Sequence, residues 1–251
     1  MSSVKFKIVI PSRNCLEWLP RCLESIASQT YRNFDLVIVD DASTDCGQWE
    51  WMEYYCKRQG WLALRGEKSV GSLGAIVRAT RAAEPRESDV IVHVDGDDWL
   101  AHDGVLSYLA SIYRRGEVDL TYGGQLDYPK GCPGYTRPYP KRVVQERSYR
   151  LHDCILWGHL RSFRHFLWEA IRDEDLRAPC GEYFRFANDH AYMFPLIEMA
   201  GDRFAALSEA LYIYNRINPR SEMAFQRVHH LSAQGFIRIK PKYPVHERCK
   251  S

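Results

Sequence analysis

The stretch Phe34-Asp-Leu-Val-Ile-Val-Asp-Asp-Ala-Ser-Thr-Asp45 is a short apolar run rich in β-branched residues that stops on two carboxylates. Too short for a buried helix, it reads as a buried strand, Phe34 to Val39, closed by Asp40 and Asp41. The same design recurs on either side. Val4 to Ile10 is a compact apolar strand ending at Pro11, and Asp89 to Val94 is another, followed by Asp95-Gly-Asp-Asp98-Trp. Between these strands the apolar spacing turns helical: Glu17 to Gln29, with Leu19, Leu23 and Ile26 in phase, then roughly Asp45 to Gln59, Leu73 to Ala83 and His102 to Tyr113. A short strand near Leu62 to Leu64 and another at Val118 to Tyr122 complete the series. Strands alternating with helices of this length imply an α/β fold with a mostly parallel sheet covered on both faces. Ligands of such sheets sit at the carboxyl ends of the strands.

At 251 residues, 45% hydrophobic and 26% charged, the chain excludes a collagen-like or disordered class. Surface scaling has it burying roughly 73% of its unfolded surface. With 34 Lys plus Arg against 32 Asp plus Glu it is too balanced to coat nucleic acid. Its apolar stretches are strand-sized, short of the roughly 20 residues that span a bilayer. Met1 to Pro11 shows no apolar signal-peptide region, and the eight cysteines form no CxxC pair. Reduced thiols and a cytoplasmic location are the expectation.

The second half reads differently. Leu126 to Val144, with prolines, tyrosines and glycines, is expected to be a long loop. Helical patterns follow around Ser162 to Ile171 and Asp189 to Ala200, then a strand pair near Phe204 to Leu207 and Leu211 to Tyr214. From Arg220 onward the tail carries a net charge of +5.

The chemistry gathers on one sheet edge. Asp40 and Asp41 end one strand; Asp95, Asp97 and Asp98 follow another. Carboxylates crowded together repel, and burying them unpaired is costly. A hard divalent cation sharing one or two carboxylates with phosphate oxygens resolves the conflict. A single Asp-rich turn is unremarkable; two on one edge are not.

Ile-Val-Ile-Pro11-Ser-Arg13-Asn, Leu-Pro-Arg-Cys22-Leu-Glu-Ser-Ile26, Val-Ile-Val-Asp40-Asp41-Ala-Ser-Thr-Asp45 and His-Val-Asp95-Gly-Asp97-Asp98, in that order, resemble glycosyltransferase family 2. The resemblance covers residues 4 to about 125 and implies the GT-A fold, a Rossmann-like sheet flanked by helices. Residues 1–125 would be the nucleotide-sugar half and 126–251 the half that binds acceptor and supplies the base, in one continuous domain. It implies a nucleotide-sugar donor, UDP-linked first of all, a glycan, lipid-linked or protein acceptor, Mn2+ or Mg2+, and inversion at the transferred carbon. Pro11 and Arg13 would lie by the nucleobase, Asp41 would bond to the base, and Asp40 would shape the floor beneath it. Asp95 and Asp97 match the family's DXD pair, with Asp97 the foremost metal ligand and Asp98 its support. Lys68 to Gly74 matches the small-residue segment near the donor, Gly71 included, although it lacks the family's usual Asn and Arg.

Ala187-Asn-Asp-His-Ala-Tyr-Met-Phe more loosely matches a helix headed by Glu-Asp, with Asn188 in place of the Glu. Asp189 would then be the general base, which a sugar hydroxyl needs to become a nucleophile. An Asp at a helix start also serves as a cap. His159 and Arg161, in Gly158-His-Leu-Arg-Ser-Phe-Arg164, are placed to reach the donor diphosphate or the acceptor. His229 or His230 would add a C-terminal metal ligand as in some GT-A enzymes. Aromatic residues from Tyr135 to Trp168 divide between core and acceptor site, and the basic tail could rest on an anionic membrane surface. Another class of function on the same fold is a non-catalytic sugar-nucleotide or glycan-binding module, which the altered Lys68–Gly74 segment and Asn188 would suit. A dinucleotide-dependent oxidoreductase would need GxGxxG after the first strand, and Pro11-Ser-Arg-Asn-Cys15 is not that loop.

Overall fold

The computed structural model describes residues 3–219 and 227–249. The three apolar runs form β1 (Phe6–Ser12), β2 (Phe34–Asp40) and β4 (Val90–His93), with β3 (Leu62–Arg65) beside β2. These four strands are parallel, in the order β3-β2-β1-β4. Their side chains alternate between two cores. Phe6, Ile8, Ile10, Leu36, Ile38, Val90 and Val92 pack on one face with α1 (Leu19–Ala27), α2 (Gln48–Gln59) and α4 (Val105–Arg114). Val9, Val37, Val39 and Ile91 face α3 (Gly71–Ala82) and α7 (Asn188–Ala200). Burial on both faces is why these strands read as unbroken apolar runs.

Strands from the second half continue the same sheet. β8 (Arg161–Arg164) pairs antiparallel with β4 and with β6 (Leu120–Tyr128). β6 runs parallel to β9 (Phe204–Asn215), whose other edge carries the short β5 (Trp99–Leu100). β7 (Cys132–Pro133) folds back on β6. Short helices α5 (Lys141–Glu146) and α6 (His165–Glu169) join these strands, and α8 (Arg227–Arg238) lies last.

Three sequence expectations are corrected here. The loop expected from Leu126 begins as the end of β6 and contains β7 and α5. A register shift between Gly123 and Gln125 masks the alternation of β6. Gly124 sits at φ +83, where an added Cβ would run into the Glu209 carbonyl. The helix expected over Ser162–Ile171 starts as strand, because β4 and β6 both offer open edges to Arg161–Arg164; cross-strand pairing overrides local periodicity. The strand pair 204–207 and 211–214 is one strand, β9.

Residues 220–226 and 250–251 of the basic tail lie outside the described residues. Of the rest, Arg238 donates to the carbonyls of Arg150 and His152, and Lys240 to those of Glu174 and Asp175. These charges serve the fold. Among the described residues no helix is long and apolar enough to cross a membrane.

Candidate active site

The carboxyl ends of β1, β2 and β4 open into a cleft of about 630 Å³, a usual size for a small-ligand site. Its far wall comes from the second half: His159 and Arg161 at the start of β8, the N-terminus of α7, the residues after β9, and His230 and Gln234 of α8.

Pro11, near the end of β1, and Arg13, just beyond it, line the cleft, Pro11 buried and Arg13 exposed. Asp41 lines it too, and its carboxylate is a hitching point for α3. It accepts from Val70 N–H at 2.8 Å, from Gly71 N–H at 2.9 Å and from Ser69 Oγ at 2.7 Å. Gly71 stands at φ +82, a conformation open chiefly to glycine, as it turns the chain into the helix. Asp40 lies behind the cleft wall, where Ser43 Oγ and Gln48 Nε2 donate to it and fix the loop that follows β2. Lys68 is displaced from the site: its side chain is 84% exposed, with Nζ 3.9 Å from Glu182.

The turn Asp95–Asp98 is pressed against β1. A Cβ on Gly96 would sit 2.8 Å from Ser12 Cβ and 3.1 Å from the Pro11 carbonyl, so only glycine allows this approach. Asp98 is buried and committed, accepting from Tyr212 Oη at 2.8 Å and from Asn215 N–H at 2.7 Å. Asp97 Oδ2 accepts from Asn218 Nδ2 at 2.7 Å. Burial, and then the Asp95 charge, push Asp97 up to about 6. Burial works against ionisation of Asp95 as well, but His93, bonded to it at 3.0 Å, and the Arg161 guanidinium outweigh it and hold that carboxyl well below the usual range.

His159 stacks on Tyr212 with ring centroids 4.8 Å apart. Its Nδ1 is buried with no hydrogen-bond partner among the described residues, 3.7 Å from Asp95 Oδ2. Burial and the neighbouring Arg161 hold its pKa well below the ordinary imidazole value, so the ring is neutral. Asp95, Asp98 and His159 each place a ligand atom within 4.8 Å of the others. An orphaned neutral imidazole nitrogen beside mutually repelling carboxylates suits a divalent cation such as Mn2+ or Mg2+. His159 thus joins Asp95 and Asp98 in this group, while Asp97, the foremost ligand expected from the sequence, is not one of the three.

Across the cleft, Asp189 is not the capping residue of α7; Ala187 holds that position, at φ 49. Asp189 Oδ2 accepts from Arg161 Nη2 at 3.0 Å, and Oδ1 accepts from the N–H of His190 at 3.0 Å and meets His190 Nδ1 at 2.8 Å. Burial alone would raise its pKa. His190 and Arg161 reverse that and keep Asp189 ionised. Asn188 and His230 also line the cleft, whereas His229 is exposed and stacks on Phe186.

Sequence reading passed over His93, Gln125, Tyr192, Asn218 and Gln234. His93 left one trace, a lone polar residue in Val90-Ile-Val-His-Val94. The others come from elements whose approach to the cleft is a matter of tertiary packing.

The family model described as glycosyl transferase family 2 matches residues 7–172. Among curated proteins, glycosyltransferase GlyA of Streptococcus pneumoniae is 22% identical over 229 residues, which is 84% of this chain and 30% of GlyA. EpsJ of Bacillus subtilis, an uncharacterized glycosyltransferase, is 23% identical over 218 residues, covering 85% and 61% of the two chains. Among solved structures, residues 1–349 of S. aureus TarS superpose with a TM-score of 0.64 at 22% identity, over 84% of this chain and 60% of that one. The mannosyltransferase PcManGT of Pyrobaculum calidifontis, solved with GDP-Man and Mn2+, gives 0.64 at 19% identity over 96% and 66%. The chain spans less than two thirds of each of these proteins.

Proposed function

The chain belongs to glycosyltransferase family 2 and has the GT-A fold, and from that premise we propose that it transfers a sugar from a nucleotide-sugar donor, UDP-linked first of all, to an acceptor hydroxyl with inversion. The acceptor would be a glycan, a lipid-linked sugar or a protein. One observation carries the reading: a single cleft sets Asp95 and Asp97 on one wall and the ionised Asp189 on the other. Solved relatives supply the donor classes to try, since TarS has been crystallised with UDP-GlcNAc and PcManGT with GDP-Man.

Asp95 and Asp97, with His159 as a nitrogen donor, would hold the divalent cation, which when bound neutralises charge developing on the leaving diphosphate. Pro11, Arg13 and Asp41 would frame the nucleobase. Asp189 would draw the proton from the acceptor hydroxyl as oxygen attacks the sugar carbon opposite the departing phosphate. Attack in line with departure inverts that carbon in one step. The protein's part is chiefly orientation and charge stabilisation.

The test is a thermal-shift series with UDP, GDP, dTDP and CMP, each with Mn2+, Mg2+ or EDTA. A native-state ligand raises apparent stability by mass action. One nucleotide should shift the transition only with metal, and its sugar conjugates should then be turned over, with the product anomer read by NMR. Absence of any shift would overturn the donor site. Binding without turnover of donor would favour the non-catalytic module. Asp97→Ala should abolish both shift and turnover; full activity of that variant in EDTA would remove the metal role.

A further inference from the structure

Beneath the cleft, one unbroken chain of hydrogen bonds joins Asp95 to Asp189. His93 Nε2 meets Asp95 Oδ1 at 3.0 Å, and His93 Nδ1 meets Tyr192 Oη at 3.0 Å. Arg161 Nη1 donates to the same hydroxyl at 3.0 Å, and its Nη2 donates to Asp189 Oδ2 at 3.0 Å. The three linking residues come from β4, α7 and β8 and are 3%, 1% and 4% exposed.

The polarity of the chain follows from what each group can do. An ionised carboxylate only accepts, so His93 Nε2 carries a hydrogen. A guanidinium only donates, so the Tyr192 oxygen accepts from Arg161. The hydroxyl hydrogen is then left to point at Nδ1 of His93, 3.0 Å away. Burying an imidazole in β4, whose other residues are apolar, and a phenol hydroxyl on α7 carries a desolvation cost that a Val and a Phe would avoid. Packing alone gives no reason for polar groups here. Their placement does something else: it ties the donor-side carboxylate to the base through Arg161, whose Nε is buried with no partner among the described residues.

We propose that His93 and Tyr192 are positioning residues, which lock Arg161 between Asp95 and Asp189 so that donor and base are held in one fixed relation. The inference rests on the sugar-transfer reading of the cleft. Reacting groups must be placed closely, and a misplacement of about 1 Å can cost on the order of a hundredfold in rate. Without the Tyr192 hydroxyl, the guanidinium loses one of its two ties and His93 loses its second. Asp95 and Asp189 are then free to shift relative to one another, although neither residue has changed.

Tyr192→Phe removes one oxygen and keeps the ring, so it is the informative variant. UDP-glucose, UDP-GlcNAc and GDP-mannose are offered in turn with Mn2+, and release of the nucleoside diphosphate is followed. Tyr192→Phe should lower kcat roughly ten- to a hundredfold while donor KM stays within about threefold. In a His93→Phe background the same change should cost at least several-fold less, because residues in one network are not additive. A second readout needs neither donor nor metal. In protein labelled with 15N at histidine, the signals lost in His93→Phe should be those of an Nε2-protonated ring, and Tyr192→Phe should move the Nδ1 resonance.

A Tyr192→Phe enzyme with kcat within about twofold of wild type would overturn the positioning role, even if its melting temperature falls. So would strict additivity of the two substitutions, or a His93 ring that carries its hydrogen on Nδ1. A wild type that turns over none of the three donors and shows no nucleotide-dependent thermal shift would instead strike the sugar-transfer reading, and the positioning role with it. The NMR result would still decide whether the hydrogen-bond chain exists.

Discussion

Asp189 and Gly96 show how much a single position can decide. Asp189 holds a negative charge because His190 and Arg161 outweigh the cost of its burial. Asp189→Asn keeps the shape and an acceptor oxygen for Arg161 but cannot take a proton. Turnover should fall by roughly 10²–10⁴, the usual worth of a general base, while the metal-dependent nucleotide shift survives; unaltered turnover would reduce Asp189 to a partner for Arg161. Gly96 acts through absence. Its missing Cβ lets the Asp95–Asp98 turn lie against Ser12. Gly96→Ala should destabilise the protein by about 1–3 kcal/mol, as overpacking does, and weaken the Mn2+-dependent nucleotide shift. Urea unfolding and thermal shift on the same sample separate the two effects.

At the scale of elements, Asp41 makes one point of attachment between β2 and α3. Asp41→Ala leaves the N–H groups of Val70 and Gly71 and the Ser69 hydroxyl without their acceptor. The Gly71 donor is buried and the other two are part-buried; a buried donor left unmade costs about 1–3 kcal/mol, so the variant should lose stability along with nucleotide binding. Hydrogen exchange at residues 69–72 should rise more than elsewhere.

The segment after α8 is tied down in another way. Tyr243 Oη donates to Asp175 Oδ2 at 2.6 Å, and Arg172 Nη2 donates to the same oxygen at 2.7 Å. Burial works to raise the Asp175 pKa, but these two donors and Lys240 outweigh it and bring the carboxyl below its ordinary value. A carboxylate whose folded pKa lies below its unfolded one adds stability above the unfolded value, near about pH 4. That contribution is lost as pH falls further, through the folded value. Asp175→Asn should therefore be less stable than wild type at pH 7, with the gap narrowing below about pH 4. A gap constant from pH 7 to pH 2 would show that Asp175 acts through shape alone.

At the scale of the whole molecule, a buried ion pair locks the second half together. Arg150 donates to Glu198 through Nε at 2.6 Å and Nη2 at 3.0 Å, and the N–H of Tyr243 donates to Glu198 at 3.0 Å. Arg150 Nη1 also reaches the Ile237 carbonyl at the end of α8. Glu198, on α7, is 0% exposed. Glu198→Ala strands a buried guanidinium, which costs about 3–5 kcal/mol. At roughly 2–4 °C per kcal/mol for a chain of this size, the melting temperature should drop by about 6–20 °C. A drop of a degree or two would mean that water reaches Arg150 in the variant.

The sequence by itself determined the parallel half of the sheet and the acidic edge above it. Apolar runs that end in carboxylates are local signals, and burial on both faces leaves little freedom in where Phe34–Val39 or Val90–Val94 can go. The same holds for Asp189 at the head of α7, where the run from Asn188 to Ala200 is thirteen residues long, too long for a buried strand. Only the tertiary structure decided that Arg161–Arg164 is strand, that Leu120–Tyr128 runs past its glycines, and that Asp40 and Lys68 stand outside the cleft. It alone decided that His93, His159 and Tyr192 gather beneath it. Pairing of β8 with β4 and β6, and of β6 with β9, set the first two; local hydrogen bonds from Ser43 and Gln48 turn Asp40 away, and contacts between residues far apart in the chain gather the three rings. None of these contacts leaves a period or a spacing in the sequence that would announce it.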